Sequence, residues 1–362
     1  MNSMQYILPQ IAEFMGLVGN RHLLVQTHDI PDPDAIASAE AFRMIAAHFG
    51  VKARLIANGL PQRRENRTLL RECMISLKPL ESLAVRNPER YAWAFIDCLP
   101  GGGNVTLHPH APGDLYIAID HHGHANLSQK KTAGKYLIVE PESGATATLL
   151  GEIFIELGIP FSPRLASAMS YAIISDTQDF SRGASKIDLE VYAAIFPFTD
   201  QHIISRIRNA RKSRRYFRTV HHCLENTSVY RNMAWTWIGE VENGEIVAEM
   251  ADFILTLEHV DWSLALGHTH DRMFLSMRST NPNASCAKMI RKLVPFSPFT
   301  VGGHDRFAGG FIPVDRVDDI KEMAEFLIDR FIRQVLKLLA SQSLPKGTPL
   351  IRLEQPEGCE SD

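Results

Sequence analysis

Four short segments of this chain carry carboxylates and imidazoles of the kind that hold divalent cations. His28, Asp32 and Asp34 lie in HDIPDPD, Asp97 closes YAWAFID, Asp120, His121 and His122 end YIAIDHHG, and Asp176 follows YAIIS. Carboxylates packed together repel one another, and the simplest way to keep them ionised is a bound cation. Oxygen and imidazole donors without thiolate suit magnesium or manganese better than a structural zinc site, with zinc and cobalt still open. The donors outnumber what one ion needs. Two ions about 3.5–4 Å apart, sharing one carboxylate, are the known arrangement for in-line attack on phosphorus.

Each segment alone has a plainer reading. Asp32 or Asp34 could do no more than cap a helix, Asp97 before a Pro-Gly turn could be a strand-end residue, and Asp176 could close a helical run. What gives them weight together is the pattern that must position them. His22–Thr27, Lys52–Ala57, Trp93–Ile96, Tyr116–Asp120 and Lys135–Val139 read as short buried strands, with helical stretches at Asp34–Phe49, Ala145–Leu157 and Pro163–Ile174. Such alternation predicts a mostly parallel, doubly wound sheet. Three of the four segments then stand at strand ends, at the edge where open α/β sheets bind their ligands.

Beyond Gln201 the chain turns basic and helical, QHIISRIRNARKSRRYFR, a stretch read as a connector whose arginines either solvate the surface or meet nucleotide phosphates. After it, Asn232–Glu240, Trp262–Gly267 and Arg272–Arg278 alternate as half-exposed strands, with helices expected at Ile246–Leu257, Ala284–Leu293 and Asp315–Leu339. In VGGHDRFAGG the glycines predict a tight loop. The expected domains are 1–190, a helical connector 191–228, a second domain 229–342 and a loose tail 343–362.

A length of 362 residues allows two ordinary domains. A net charge of -3 argues against bulk capture of a long nucleic acid. Five scattered cysteines, without a C-x-x-C pair, suggest neither a disulfide framework nor a thiolate metal site. The N-terminal segment lacks a basic region before its apolar run, and no run approaches a membrane span, so the expected location is cytoplasmic with no membrane partner.

The succession HDIPDPDAIAS, AFIDC, IDHHG and IISDTQDF resembles the four motifs of the DHH phosphoesterase superfamily, and VGGHDRFAGG is similar to the Gly-Gly-His motif of the DHH-associated C-terminal domain. The resemblance runs from about residue 20 to 340, and the arrangement is similar to the short bacterial nanoRNase group. It implies that His28 and Asp32 hold one manganese ion and that Asp34, His121 and Asp176 hold a second, with Asp97 bridging. Asp120 would orient the ligands, and His122 would stand near the attacked phosphate as a charge stabiliser or proton donor. Gly302 and Gly303 would let a phosphate or base approach, and His304 and Arg278 would grip the nucleotide. Two departures bear on substrate preference. The family's usual Ala after this motif is Phe307 here, and the glycine run before His304 is short, being preceded by Val301.

The resemblance thus implies a manganese-dependent phosphoesterase of the α/β class. It has a mostly parallel doubly wound N-terminal sheet, a smaller mixed C-terminal domain and an active site in the interdomain cleft. Its expected substrates are short oligoribonucleotides or linear dinucleotides, with 3′-phosphoadenosine 5′-phosphate as a further one. Cyclic dinucleotide hydrolysis and a non-catalytic nucleotide sensor are the rival readings, and a homodimer stays open. Inorganic pyrophosphatase ranks lower, because superfamily members with that activity carry a different C-terminal domain.

Overall fold

Short apolar runs interrupted by helix formers leave the backbone few ways to bury both, and a parallel sheet under a layer of helices is one of them. The computed structural model describes residues 4–122, 135–294, 300–303, 306–314, 320–339 and 341–351. They fall into two compact units that divide between Arg211 and Lys212.

The first unit runs α1 (Met4–Val18), β1 (His22–Gln26), α2 (Pro33–His48), β2 (Ala53–Ala57), α3 (Arg64–Glu72), β3 (Leu77–Pro79), β4 (Tyr91–Ile96), β5 (Tyr116–Asp120), β6 (Lys135–Val139), α4 (Thr146–Glu156), α5 (Pro163–Asp176), α6 (Lys186–Ile195) and α7 (Gln201–Arg208). Its sheet has the order β3-β2-β1-β4-β5-β6, every pair parallel. The period of two sorts the strand residues cleanly. Leu23, Val25, Ala94, Ile96, Ile117 and Ile119 join the core beneath α1, α2, α4 and α5. Leu24, Ile56, Trp93, Phe95 and Ala118 face the other way, where Leu80, Cys98 and Leu99 cover them instead of a long helix. The strand order reverses between β1 and β4, and a crevice at such a reversal is where open α/β sheets place ligands. The segments that follow these two strands carry His28 and Asp97.

The second unit runs α8 (Arg214–Asn226), β7 (Thr227–Tyr230), β8 (Met233–Glu240), α9 (Gly244–Leu255), β9 (Trp262–His268), β10 (Arg272–Ser279), α10 (Cys286–Leu293), β11 (Thr300–Gly303), β12 (Phe307–Pro313), α11 (Ile320–Leu336) and β13 (Thr348–Pro349). The sheet order is β11-β12-β10-β9-β8-β7-β13, with only β8 and β9 parallel. Met233, Leu264, Met273, Leu275 and Met277 pack with Ile290 of α10 and Leu327 and Phe331 of α11. The opposite face packs Ala234, Ile238 and Ala265 against Cys223 of α8 and Val247, Met250 and Ile254 of α9.

The basic stretch 201–218 is helical, forming α7 and the start of α8, and the division between units falls inside it. Two features differ from the sequence reading. Glycine-rich 301–310 is largely a hairpin, β11 paired with β12, with glycines within both strands. At Gly309 a Cβ would lie 3.2 Å from the Leu275 carbonyl of β10, so the absence of a side chain allows the ladder to close. The supposed tail returns to the sheet, because Thr348–Pro349 pairs with β7 and Leu350 donates to the Thr227 carbonyl at 2.8 Å. No described helix is long and apolar enough to cross a membrane.

Candidate metal centre

The acidic turn after β1 is built to aim its side chains. Asp32 caps α2, its Oδ1 accepting from Ala35 N at 3.0 Å, and Pro33 follows at the first helical position, where no N–H is needed. Asp34, one residue on, is buried and points at the start of α4. Its Oδ2 accepts from Thr146 N at 2.7 Å and its Oδ1 from Ala147 N at 2.8 Å. These two N–H groups are among those a helix start leaves unsatisfied. A carboxylate has about four acceptor sites, so Asp34 retains capacity for a further partner.

Asp97 stands just past the end of β4 with its backbone in the left-handed region at φ 59 and its N–H held by the Ile119 carbonyl at 2.9 Å. A buried non-glycine residue in that region is a local strain that the surroundings must enforce. Its consequence is an inward carboxylate. Oδ1 accepts from Thr146 Oγ1 at 2.8 Å and lies 3.8 Å from His121 Nε2, while Oδ2 lies 3.6 Å from His28 Nε2.

The imidazoles are fixed from behind. His28 Nδ1 donates to the Asp29 carbonyl at 2.9 Å, and His121 Nδ1 donates to the Ser143 carbonyl at 3.1 Å. With both Nδ1 atoms occupied, both Nε2 atoms face the carboxylates, the tautomer and orientation that metal-ligating histidines adopt. His28 Nε2 is 3.7 Å from Asp32 Oδ1, and His121 Nε2 is 3.4 Å from Asp176 Oδ2. Among the described residues, the buried His121 Nε2 has no hydrogen-bond partner. A buried nitrogen aimed at carboxylates without a hydrogen bond is what a site shaped for a cation leaves behind. His122 is held differently, although its Nδ1 also lies 3.7 Å from Asp97 Oδ1. Its Nδ1 and its backbone N–H both donate to Asp120 Oδ1, at 2.8 and 3.0 Å.

The donor atoms gather into overlapping groups: His28, Asp32 and Asp97; Asp34, His121 and Asp176; and Asp97, His121 and His122. Asp97 belongs to two of them, between the first turn and the Asp-His-His triplet. The donor chemistry, oxygen with imidazole, fits hard or borderline divalent ions.

Electrostatics register the crowding. Burial, then the neighbouring Asp32, pushes Asp34 up to about 7. Burial, then Asp34 and Asp32, lifts Asp176 to about 7. Asp97 is raised well above the usual range by burial and by Asp34, Asp32, Asp120 and Asp176. Burial pulls His28 down, but the hydrogen bond and charge of Asp32 outweigh it, so the ring rises to about 9 while Asp32 falls to about 2. Burial and His122 hold His121 below its ordinary value; His122 is lifted by Asp120 against its own burial. Without a cation, protons take its place.

Sequence reasoning missed the braces. Asp29 Oδ1 accepts from Thr106 N at 2.8 Å, its Oδ2 from Thr106 Oγ1 at 2.6 Å and Asn58 Nδ2 at 3.0 Å, pinning the first turn, where Ile30 holds φ 51. Asp188, buried at the start of α6, accepts from Gly144 N and Thr148 Oγ1, which positions the Ser143 carbonyl behind His121. A Cβ on Gly144 would collide with Thr177 and Asp188. The capping signal Ser185-x-x-Asp188 was visible in the sequence, but its reach to Gly144 is tertiary.

The C-terminal residues are placed differently. Arg278, on β10, donates from Nε to Asp252 Oδ1 and from Nη1 to Ser276 Oγ at 2.7 Å and the Met277 carbonyl at 3.1 Å. Its guanidinium lies 5.6 Å from the ring centre of its cross-strand neighbour Phe307. Gly302 and Gly303 end β11, and Gly303 has φ 142 with Phe307 and Ala308 backbone where a Cβ would stand. His304 lies outside the described residues.

Against known proteins, no family model matches the sequence. An uncharacterized protein of Methanocaldococcus jannaschii is 31% identical over 315 residues, 86% of this chain and 62% of that protein. A probable manganese-dependent inorganic pyrophosphatase of Deinococcus radiodurans is 30% identical over 186 residues, 48% of this chain and 53% of that protein. The chain thus spans less than two thirds of the length of these curated relatives. Among solved structures, an exopolyphosphatase-related protein from Bacteroides fragilis matches with a TM-score of 0.71 at 18% identity, over 91% of this chain and 98% of that one. That likeness shows the fold.

Proposed function

We propose that this chain is a divalent-metal-dependent phosphoesterase of the DHH superfamily that hydrolyses short oligoribonucleotides or linear dinucleotides. The observation that carries it is the gathering of His28, Asp32, Asp34, Asp97, His121 and Asp176, from four distant segments, into overlapping donor groups, with the buried His121 Nε2 left without a hydrogen bond among the described residues. In this reading His28, Asp32 and Asp97 hold one cation, Asp34, His121 and Asp176 a second, and Asp97 serves both. Manganese is favoured by the similarity to the probable manganese-dependent pyrophosphatase of Deinococcus. When bound, such cations supply a low-pKa water at neutral pH and positive charge for the phosphoryl oxygens.

The chain's own groups do the rest. Thr146, through its hydroxyl on Asp97 and its N–H on Asp34, keeps these carboxylates in place as charge builds on the phosphoryl group. Asp120 keeps His122 protonated at Nδ1, which orients the ring and favours its cationic form. The Nε2–H of that cation would steady the attacked phosphate or pass a proton to the leaving oxygen. Arg278, Gly302, Gly303 and His304 of the second unit would bind nucleotide, so length selection would reside there.

The test is product analysis with manganese on oligoribonucleotides from two to about seven units, with 3′-phosphoadenosine 5′-phosphate, a cyclic dinucleotide and pyrophosphate alongside. Mononucleotides released fastest from the shortest linear substrates are expected. Rapid pyrophosphate turnover with dinucleotides untouched would replace this reading by a pyrophosphatase. Nucleotide binding without turnover under any divalent ion would favour a sensor.

A further inference from the structure

The basic character of α8 is only partly spent on ion pairs, Arg215 facing Glu242 and His222 Nδ1 lying 3.8 Å from Glu225. Arg215 and Arg218 point into a concavity of about 570 Å³ lined also by Thr219, His222, Gly239 and Glu240. Arg215 Nε lies 3.3 Å from Glu242, which orients it, whereas Arg218 has no carboxylate partner among the described residues. Across the concavity the β8 backbone departs from regular pairing. The register with β9 shifts between Trp237 and Glu240, and Gly239 takes φ +82 with open space where a Cβ would be. A bulge of this kind bends a strand and turns its side chains aside, and Gly239 lines the concavity together with the two arginines.

We infer that this concavity is a nucleotide site, in which Arg215, Arg218 and His222 hold the phosphate of a nucleoside monophosphate and Glu240 accepts from a sugar hydroxyl or base amine. Two forked guanidiniums and an imidazole present donors to a phosphate monoester from one side. The volume falls in the range of small-molecule sites. The lining carboxylate Glu240 suits a ligand with hydroxyl or amine groups at the end remote from its phosphate, and disfavours bare phosphate. All of these residues belong to the second unit, and none is a candidate metal ligand.

Calorimetric titration of the full chain in chelator, with adenosine monophosphate, adenosine and inorganic phosphate, tests the site without help from metal. Adenosine monophosphate should bind about tenfold tighter than phosphate, and adenosine should not bind. Arg218→Gln should weaken binding about tenfold and the pair Arg215→Gln with Arg218→Gln further, with unchanged thermal melting because both side chains are exposed. Asp97→Asn should leave this binding intact, whatever it does to hydrolysis. No binding by the wild type, equal affinity for phosphate, or full affinity in the arginine pair variant would each overturn the assignment.

Discussion

At the edge of the parallel sheet, Asp34, Asp97 and Asp176 lie together, each held above the ordinary carboxylate range by burial and by one another. At β10 of the mixed sheet, Arg278 has its charge matched by Asp252 and its Nη1 donors taken by Ser276 and Met277. The first arrangement is frustrated unless something positive enters; in the second the charge is already matched. Frustration that the fold enforces, through the αL backbone of Asp97 and the braces of Asp29 and Asp188, marks where function was placed ahead of stability.

The sharpest way to break the contrast is Asp97→Asn. It retains the shape but removes the shared charge, and manganese-dependent turnover should fall by about 10³ or more while metal-free melting does not drop. Assays of kcat paired with thermal scans check both halves. His122→Ala should lower kcat by about 10²–10⁴ with KM little changed, since the group acts on the reacting phosphate. Arg278→Ala should instead raise KM about tenfold at constant kcat, because losing uniform binding leaves the chemical step alone; a collapse of kcat would place it in the reaction.

The pH dependence of the metal-free protein sharpens the same comparison with a smaller effect. Folded, it keeps protons on Asp34 and Asp176 to about 7 and on His28 to about 9. Unfolded carboxyls release theirs near about 4 and histidine near about 6.5. The folded state therefore binds more protons between about pH 4 and 9, and its stability falls as pH rises through that window. His121, lowered by burial and His122, opposes this below about 6.5, a single group against several raised ones. Melting without metal should drop by several degrees from about pH 5 to 8. Manganese, replacing those protons, should flatten the slope. A metal-free protein that gains stability with rising pH would contradict the shifted carboxylates.

Much of the first unit was legible because its signals are local. Five apolar runs became five of the six parallel strands; the short edge strand Leu77–Pro79 has too few residues to show a period. The metal candidates could be read as residue types at strand ends. Their supports could not, since Asp188 reaches Gly144 and Asp29 reaches Thr106 only through the tertiary fold. The second unit was harder for a different reason. Glycines that look like loop punctuation, such as Gly309, are there because neighbouring strands approach closely, and sequence alone does not separate the two uses.

The count of manganese ions bound by the metal-free chain, followed by electron paramagnetic resonance during titration, bears most directly on the frustrated carboxylate cluster. Two ions per chain, coupled to one another, with the coupling lost in Asp97→Asn and one site weakened in His121→Ala, are expected. Binding of no ion, or binding indifferent to both substitutions, would contradict the proposed metal centre.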